Sequence, residues 1–356
     1  MQQQASLADT LGGWARTDKC RRDIANTVME IAEAGRRISE LIAQSPDQDT
    51  LPAGSDASCE EQIRHLTASA KALLLDALSR APVAVIAENE LGIVNVRPGK
   101  EALCAALMPL DGVSDIETHG TVGTVFSLLP ALFDGNRPSI SCLLQPGTKQ
   151  VAAGYIVYGP RTSLTLTLGE GTQVFTLDRR SATFRLSEAR QYTPTETRTI
   201  AIDASNGALC EHPIKSYVDD WITRGNGRLE TSIQVHRNAS LVAACHRVLL
   251  RGGMQIYPAE VGDRGTVGSL SLVFQANPIA WLVEQAGGAA STGIQRLLEI
   301  IPSTLHQHTP LVFGSREQVE GLERFATDHH ASAPRSPLFF HRGLFLADEK
   351  TENGVR

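Results

Sequence analysis

The stretch Met-Pro-Leu-Asp-Gly-Val-Ser-Asp, residues 108–115, decides how this chain of 356 residues is interpreted. On its N-terminal side, apolar residues recur at helical spacing over residues 20–43 and over about residues 60–79. Two short buried strands are then predicted at Val83–Ala87 and Gly92–Val96, before the stretch itself. Helices followed by short strands indicate a layered fold that combines helices and sheets.

The sequence after the stretch continues this alternation. The run Gly154–Leu168 is predicted to be a strand, and Gly169-Glu-Gly turns it into a second strand, Gln173–Leu177, to make an antiparallel hairpin. Further helices are predicted near 213–223, 239–250, 278–286 and 315–327, with strands at 254–257, 269–274 and 311–314. We therefore predict an α/β (α+β) layered sandwich.

Composition changes along the chain suggest its organisation. Residues 45–58 form a predicted loop with proline, glycine, serine and aspartate, and a polar break at about 188–200 separates two halves. The predicted segments are an N-terminal tail (1–19), an N-terminal half that carries the stretch 108–115 (20–195), a C-terminal α/β half (196–330) and a C-terminal tail (331–356).

The overall composition argues against several classes of protein. The formal net charge is −6, and no dense block of lysine and arginine suggests nucleic acid or an anionic membrane as partner. No apolar run reaches the roughly 18 residues of a spanning helix, and the first nine residues lack a secretory pattern. The six cysteines are widely spaced, which is typical of reduced thiols. We expect a cytoplasmic protein.

The stretch 108–115 resembles the Asp-Pro-Leu-Asp-Gly-Ser-Ser loop of class 1 fructose-1,6-bisphosphatases of the bacterial type. Similar segments follow in the family's order from about residue 20 to residue 345. They are residues 120–126, 151–159, 241–247, 251–258, 276–288, 301–307 and 336–345. The resemblance implies the sugar-phosphatase fold of two coupled halves, usually assembled as a homotetramer.

The resemblance also implies a metal and substrate site. Phosphoryl transfer depends on cations that neutralise the phosphate and on a positioned water. Glu88, the Leu110 carbonyl and Asp111 match positions that bind Mg²⁺, for which Mn²⁺ can substitute. The substrate-binding residues implied by the resemblance are Asp111, Gly112, Val113, Ser114 and Tyr257.

Several charged positions of the family's metal site carry other residues here. Met108 and Gln275 replace an aspartate and a glutamate, so two of four metal carboxylates remain. A thioether is a poor ligand for a hard cation. Asn89 replaces the glutamate tied to the attacking water, and an amide cannot take up a proton. Thr67 replaces an aspartate that assists this base. No catalytic residue is therefore assigned.

Substrate-binding positions are changed as well. Ser269 and Ser271 stand where the family has a lysine and an arginine that hold phosphates. Asp203 replaces a phosphate-contacting asparagine, and its carboxylate would repel the dianion. His236 replaces an arginine that reaches a neighbouring subunit's site, although Arg237 is adjacent.

Three functions stay open on the sequence alone. The first is Mg²⁺-dependent hydrolysis of fructose 1,6-bisphosphate to fructose 6-phosphate and phosphate, in gluconeogenesis or the Calvin cycle. Glu90, Asp115 and Glu117 are close enough in sequence to supply replacement oxygens. The second is a catalytically impaired pseudoenzyme that binds or assembles with an active paralogue. The third is a phosphatase with a shifted substrate.

Overall fold

The structure is a computed structural model, and it describes residues 4–44, 59–97, 102–135, 137–195, 199–203, 217, 232–236, 240–262 and 265–332. The predicted loop at 45–58, all but one residue of the predicted helix at 213–223 and the similar segment at 336–345 lie outside these residues.

The α-helices among the described residues agree closely with the sequence pattern. They are α1 Leu7–Ala15, α2 Lys19–Ala43, α3 Cys59–Arg80, α4 Leu241–Arg251, α5 Asn277–Gln285 and α6 Arg316–Ser332. Helix α1 lies in the segment expected to be a tail, where its Leu7 and Leu11 side chains are buried in the core. Ser240 caps α4, because its hydroxyl accepts a hydrogen bond from the N–H of Ala243.

The strands form one large sheet, a second sheet and three small ribbons. They are β1 Val83–Glu88, β2 Gly92–Val96, β3 Leu103–Asp111, β4 Val122–Pro130, β5 Leu132–Asp134, β6 Arg137–Ser139, β7 Ala152–Tyr158, β8 Ser163–Thr167, β9 Thr172–Asp178, β10 Thr183–Gln191, β11 Thr199–Asp203, β12 Ser232–His236, β13 Met254–Tyr257, β14 Ala259–Gly262, β15 Gly265–Gly268, β16 Leu270–Ser271, β17 Ala289–Ser291, β18 His308–Thr309 and β19 Leu311–Gly314. The large sheet has the order β10-β9-β8-β7-β4-β3-β1-β2, and the second has the order β12-β11-β13-β19-β17.

Neighbouring residues on the central strands face different cores. Phe126 and Ile156 belong to the cluster that includes helices α1, α2 and α3, whereas Val125 and Tyr155 belong to the cluster that includes α4 and α5. This alternation is what the two-residue period of a strand requires when both faces of a sheet are covered. The second sheet closes the α4–α5 cluster on one face and packs α6 on the other. The result is an arrangement of five layers of helices and sheets, and the layered combination of the two is what the sequence predicts.

Two predicted strands differ from the structure. The run Gly154–Leu168 forms two antiparallel strands, β7 and β8, because Gly159 and Pro160 turn the chain between them. The hairpin across Gly169-Glu-Gly is confirmed by the pairing of β8 with β9. The predicted strand 269–274 is wrong beyond Ser271, since Leu272–Ala276 form a π-helical turn that leads into α5.

The expectation of reduced thiols is wrong for one pair of cysteines. Cys104 on β3 and Cys142 form a disulfide, although 38 positions separate them in sequence. Both are fully buried beside the β1–β3 end of the large sheet. Cysteine spacing carries no sign of this pair, since tertiary packing brings the residues together. Cys20 and Cys245 are free among the described cysteines.

The described helices include none that is long and apolar enough to cross a membrane.

Candidate active site

Glu88 and Asp111 end two neighbouring parallel strands, β1 and β3, at the same edge of the large sheet. The register pairs Glu88 with Leu107, so Met108 lies between that pair and Asp111 along β3. Only 1% of the surface of Glu88 and 2% of that of Asp111 are exposed. A buried carboxylate is costly unless donors or cations surround it, and both of these carboxylates have such partners.

Gly112 turns the chain immediately after Asp111. Its φ of +79° lies in the left-handed region, and a Cβ atom there would lie 2.6 Å from the Cβ of Ser240. Glycine meets both demands because it has no side chain. The turn Val113–Asp115 follows, and the N–H of Asp115 donates to the Gly112 carbonyl at 2.9 Å. The loop is therefore held close against the N-terminus of α4.

The carboxylate of Asp111 is anchored to that same helix end. One oxygen, Oδ2, accepts hydrogen bonds from the Ser240 hydroxyl and the Val242 N–H, each at 3.0 Å. Burial raises the pKa of Asp111 from 3.8 to about 6, while the bonds from Val242 and Ser240 act in the opposite direction. Asp111 thus joins the phosphate loop to α4.

Gln275 supplies the donor to the other oxygen of Asp111. Its Nε2 lies 3.2 Å from Oδ1 of Asp111, and its Oε1 accepts the Ser271 N–H at 3.1 Å. A glutamate here would place a second carboxylate against Asp111, which requires a cation or a shared proton between them. The amide makes a direct hydrogen bond instead. An amide rather than a carboxylate at position 275 therefore leaves one negative charge fewer beside Asp111.

Glu88 is held by a lysine that sequence reasoning missed. Lys71 on α3 places its Nζ 3.3 Å from Oε2 of Glu88 and 2.6 Å from Oε2 of Glu90. The two oxygens of Glu88 also accept the N–H groups of Glu90 and Leu91, each at 3.1 Å. Burial lowers the pKa of Lys71, but the bond to Glu90 and the charge of Glu88 outweigh it and raise the pKa above its usual value.

The positions expected to assist catalysis have structural roles. The Asn89 N–H donates to the Leu107 carbonyl at 3.0 Å, extending the β1–β3 pairing. The Thr67 hydroxyl donates to the Ile63 carbonyl of its own helix at 2.9 Å. Met108 packs against the apolar cluster of α4 and α5. None of these three side chains can accept a proton from water.

The amides of the loop are free to receive an anion. Within the described part of the chain, the N–H groups of Gly112, Val113 and Ser114 donate no hydrogen bond. Consecutive backbone amides in a turn that combines left-handed and right-handed residues form a concave anion site. Ser114 is exposed and Val113 half-buried, so solvent reaches this turn.

A second polar region lies at the end of β13. Tyr257 is 2% exposed, and its hydroxyl has no hydrogen-bond partner among the described residues. Burial raises the pKa of Tyr257, and the charges of Asp111 and Asp203 add to this effect. The buried Nε of Arg247, on α4, also has no hydrogen-bond partner among the described residues. The Nη2 of Arg247 donates to Gln255 Oε1 at 3.5 Å. Unpaired buried polar atoms of this kind suit a polar ligand.

The remaining predicted substrate positions are distributed over three elements. Asp203 ends β11 and pairs in register with His236 on β12. Ser269 is exposed, whereas Ser271 is buried and its hydroxyl caps the π-helical turn by accepting the Phe274 N–H at 3.4 Å. Arg237 lies outside the described residues. If positions 269 and 271 contact phosphate as the resemblance implies, serines there give that phosphate fewer positive partners than a lysine and an arginine would.

The described side chains form no group of three or more histidine, cysteine, aspartate or glutamate residues that could hold a metal ion. The two retained carboxylates do not offer free oxygens either. Glu88 is paired with Lys71, and both oxygens of Asp111 accept hydrogen bonds from uncharged donors. As arranged, these residues do not fit a Mg²⁺ ion, which needs near-octahedral oxygen ligands.

Three residues of the site, Lys71, Ser240 and Arg247, were not predicted from the sequence as site residues. Ser240 had a signal, because it stands just before a predicted helix as a capping residue does. Lys71 had a weaker one: it lies four residues after Thr67, and residues four apart share a helix face. Arg247 had none beyond its helix. These signals indicate a helix cap and a helix face, whereas the contacts of the three residues with the site come from the structure.

Comparison with known proteins identifies the family. Family models described as "Fructose-1-6-bisphosphatase, N-terminal domain" and "Fructose-1-6-bisphosphatase, C-terminal domain" match residues 13–189 and 193–327. The chain is 39% identical over 341 residues to a class 1 fructose-1,6-bisphosphatase of Rhodopseudomonas palustris, covering 95% of this chain and 97% of that protein. It is 37% identical to one of Nitrobacter vulgaris, covering 97% and 99%.

A solved structure agrees with these sequence matches. The apo crystal structure of Leishmania major fructose-1,6-bisphosphatase superposes with a TM-score of 0.78 at 27% identity, covering 91% of this chain and 100% of that one. The chain belongs to the fructose-1,6-bisphosphatase family. The predicted resemblance and the predicted layered fold are thereby confirmed. The family is generally metal-dependent, which makes the donor set described above a departure from it.

Proposed function

We propose that this protein acts on fructose 1,6-bisphosphate and hydrolyses its 1-phosphate. Water would add its oxygen to phosphorus as the bond from phosphorus to the C1 oxygen breaks. A proton of that water passes to the departing C1 oxygen, which becomes the sugar hydroxyl, giving fructose 6-phosphate and inorganic phosphate. The observation that carries the proposal is family membership across both halves, residues 13–189 and 193–327, among relatives named for this activity.

The geometry of the loop supports a phosphate site at the turn after β3. We assign the phosphate to the amides of Gly112, Val113 and Ser114, which have no partner within the described structure. Asp111 sets the position of these amides through its bonds to α4, and Gly112 permits the close approach. Tyr257 is assigned to the sugar-phosphate end, because its buried hydroxyl has no partner among described residues.

Mg²⁺, with Mn²⁺ as its substitute, is the ion that the family resemblance associates with this reaction. Glu88, the Leu110 carbonyl and Asp111 stand at the positions that the resemblance assigns to its ligands. When bound, such an ion supplies positive charge to the transferring phosphoryl group. Since these residues do not fit the ion as they are arranged, no step is derived through it. The chain's own groups bind and orient the phosphate, and no described side chain at the Asn89 or Thr67 position acts as a base.

We also propose a cytoplasmic location and assembly as a homotetramer, in accordance with the family resemblance. The hetero-oligomer with an active paralogue is the alternative assembly.

A second candidate is a pseudoenzyme that binds the sugar phosphate without turnover and assembles with an active paralogue. The specific observation in its favour is that the carboxylates of Glu88 and Asp111 are both bound by other side chains of the protein. Lys71 is paired with Glu88, and Gln275 donates to Asp111. Removal of one electrostatic stabiliser commonly costs about 10²–10³ in rate, so several such losses could abolish turnover while binding persists.

Phosphate release from fructose 1,6-bisphosphate, titrated with Mg²⁺ and Mn²⁺, tests both candidates. Asp111→Ala is the site variant, and Asp134→Ala, at an exposed aspartate of β5, is the matched control. Turnover that is lost in Asp111→Ala and kept in Asp134→Ala supports the hydrolase. A folded wild-type protein that binds the bisphosphate without turnover favours the pseudoenzyme. Faster release from monophosphorylated sugars indicates a shifted substrate.

A further inference from the structure

Lys71, on α3, places its ammonium group beside two glutamates at the end of β1. Its ammonium group lies 3.3 Å from Oε2 of Glu88 and 2.6 Å from Oε2 of Glu90. The side chain of Lys71 is 17% exposed and that of Glu88 is 1% exposed, so the pair is largely removed from solvent. A positive charge of the chain itself thus lies beside the Glu88 and Glu90 carboxylates, in a place where a resident cation is expected from the family.

The other retained carboxylate is closed to a cation in a different way. Asp111 accepts hydrogen bonds from Ser240 and Val242 on one oxygen and from Gln275 on the other. These donors direct hydrogen atoms, which carry partial positive charge, at both oxygens. A divalent ion that approached the sheet edge would be repelled by the Lys71 ammonium and these hydrogens, which weaken the attraction of the Glu88, Glu90 and Asp111 carboxylates.

We propose that the Lys71 ammonium group replaces the divalent cation at Glu88, so that this chain binds its sugar phosphate without a bound metal. Lys71 is a positioning residue in this proposal, since it acts through Glu88 and the sheet edge. The identity of the sugar phosphate rests on the proposed function, whereas the exclusion of the metal rests on Lys71, Glu88, Asp111 and Gln275 alone.

Mn²⁺ binding measured by electron paramagnetic resonance on the full-length protein tests the replacement directly. The proteins to compare are the wild type, Lys71→Met, Lys71→Arg and the control Lys19→Met. Lys19 makes a surface pair with Asp23 and is 79% exposed, so its loss removes a lysine without touching the site. We expect no Mn²⁺ binding at micromolar concentration in the wild type, Lys71→Arg and Lys19→Met. In Lys71→Met the Mn²⁺ affinity should be at least about tenfold higher than the upper limit set by the wild type, because the like charge is gone.

Stoichiometric Mn²⁺ binding by the wild type at micromolar concentration overturns the proposal, and this arm does not depend on any variant folding. Equal Mn²⁺ affinity in folded Lys71→Met and the wild type also overturns it. If Lys71→Met does not fold, its thermal unfolding shows this, and the wild-type measurement decides.

The thermal shift produced by fructose 1,6-bisphosphate, with EDTA and with Mg²⁺, separates this inference from the proposed function. An equal shift in both conditions supports the inference, and a shift that requires Mg²⁺ contradicts it. If no shift occurs in either condition, the substrate assignment fails, while the Mn²⁺ measurement still decides the role of Lys71.

Discussion

The substitution Gly112→Ala tests whether the phosphate loop is held against α4 as the structure indicates. Two penalties combine at this position. A non-glycine residue in the left-handed region costs about 1–2 kcal/mol. The new Cβ would lie 2.6 Å from the Ser240 Cβ and 3.0 Å from its Cα, and crowding of this kind costs about 1–3 kcal/mol more. We expect a loss of about 2–5 kcal/mol in the free energy of unfolding.

Gly135→Ala is the matched control for this prediction. Gly135 has a φ of +60°, and a Cβ there meets nothing within 4 Å. Gly135→Ala should therefore lower the free energy of unfolding only by the conformational cost of the left-handed region, about 1–2 kcal/mol. Urea unfolding followed by circular dichroism gives both values. Ser240→Gly removes the Cβ of residue 240, although it also loses the cap of α4 and a hydrogen bond to Asp111, so the losses of Gly112→Ala and Ser240→Gly should be less than additive in the double variant.

The outcome that refutes the reasoning is equal destabilisation by Gly112→Ala and Gly135→Ala. That result would mean that Gly112 and Ser240 are not in close contact. If the contact is correct, Gly112→Ala should also weaken the thermal shift caused by fructose 1,6-bisphosphate, because the loop amides move. Gly135→Ala should leave that shift unchanged.

Three further predictions concern stability and thiol chemistry. Lys71→Met should lower the free energy of unfolding in urea by about 2–3 kcal/mol, at the lower side of values for broken buried pairs. Lys19→Met should lower it by at most about 0.5 kcal/mol, and equal losses in the two variants would contradict the buried pair. The raised pKa of Asp111 (about 6, from 3.8) adds stability that is complete below pH 3.8 and lost as the pH rises through about 6. Relative to Asp111→Asn, the wild type should lose about 2 kcal/mol between pH 4 and pH 7, and parallel pH profiles would argue against this. Thiol titration of the denatured protein without reductant should find at most four free thiols of six, because Cys104 and Cys142 are bonded; six would contradict the disulfide.

Most regular elements of the described chain follow from local sequence patterns. The apolar period of α2 and α3 and the short apolar runs of β1 and β2 are properties of neighbouring residues, so they can be read without a structure. The errors occurred where local patterns are ambiguous. An apolar run such as residues 269–274 suits a buried strand or a buried helical turn equally well, and packing against other elements decides between them.

The site was predicted less completely than the fold. The family resemblance located Glu88, Asp111 and the loop, and it identified Met108 and Gln275 as replacements. It could not show which groups satisfy the carboxylates that remain, since those partners come from other elements. Lys71 lies 17 positions before Glu88, and Ser240 lies 129 positions after Asp111.

The sequence by itself determined the family and the layered fold, because these depend on residue identity and order. Only the tertiary structure decided which groups contact the carboxylates of Glu88 and Asp111. It brings the Lys71 ammonium to Glu88 and the Gln275 amide to Asp111, and it joins Cys104 to Cys142. A buried carboxylate requires a partner, but the identity of that partner depends on distances that no linear pattern contains.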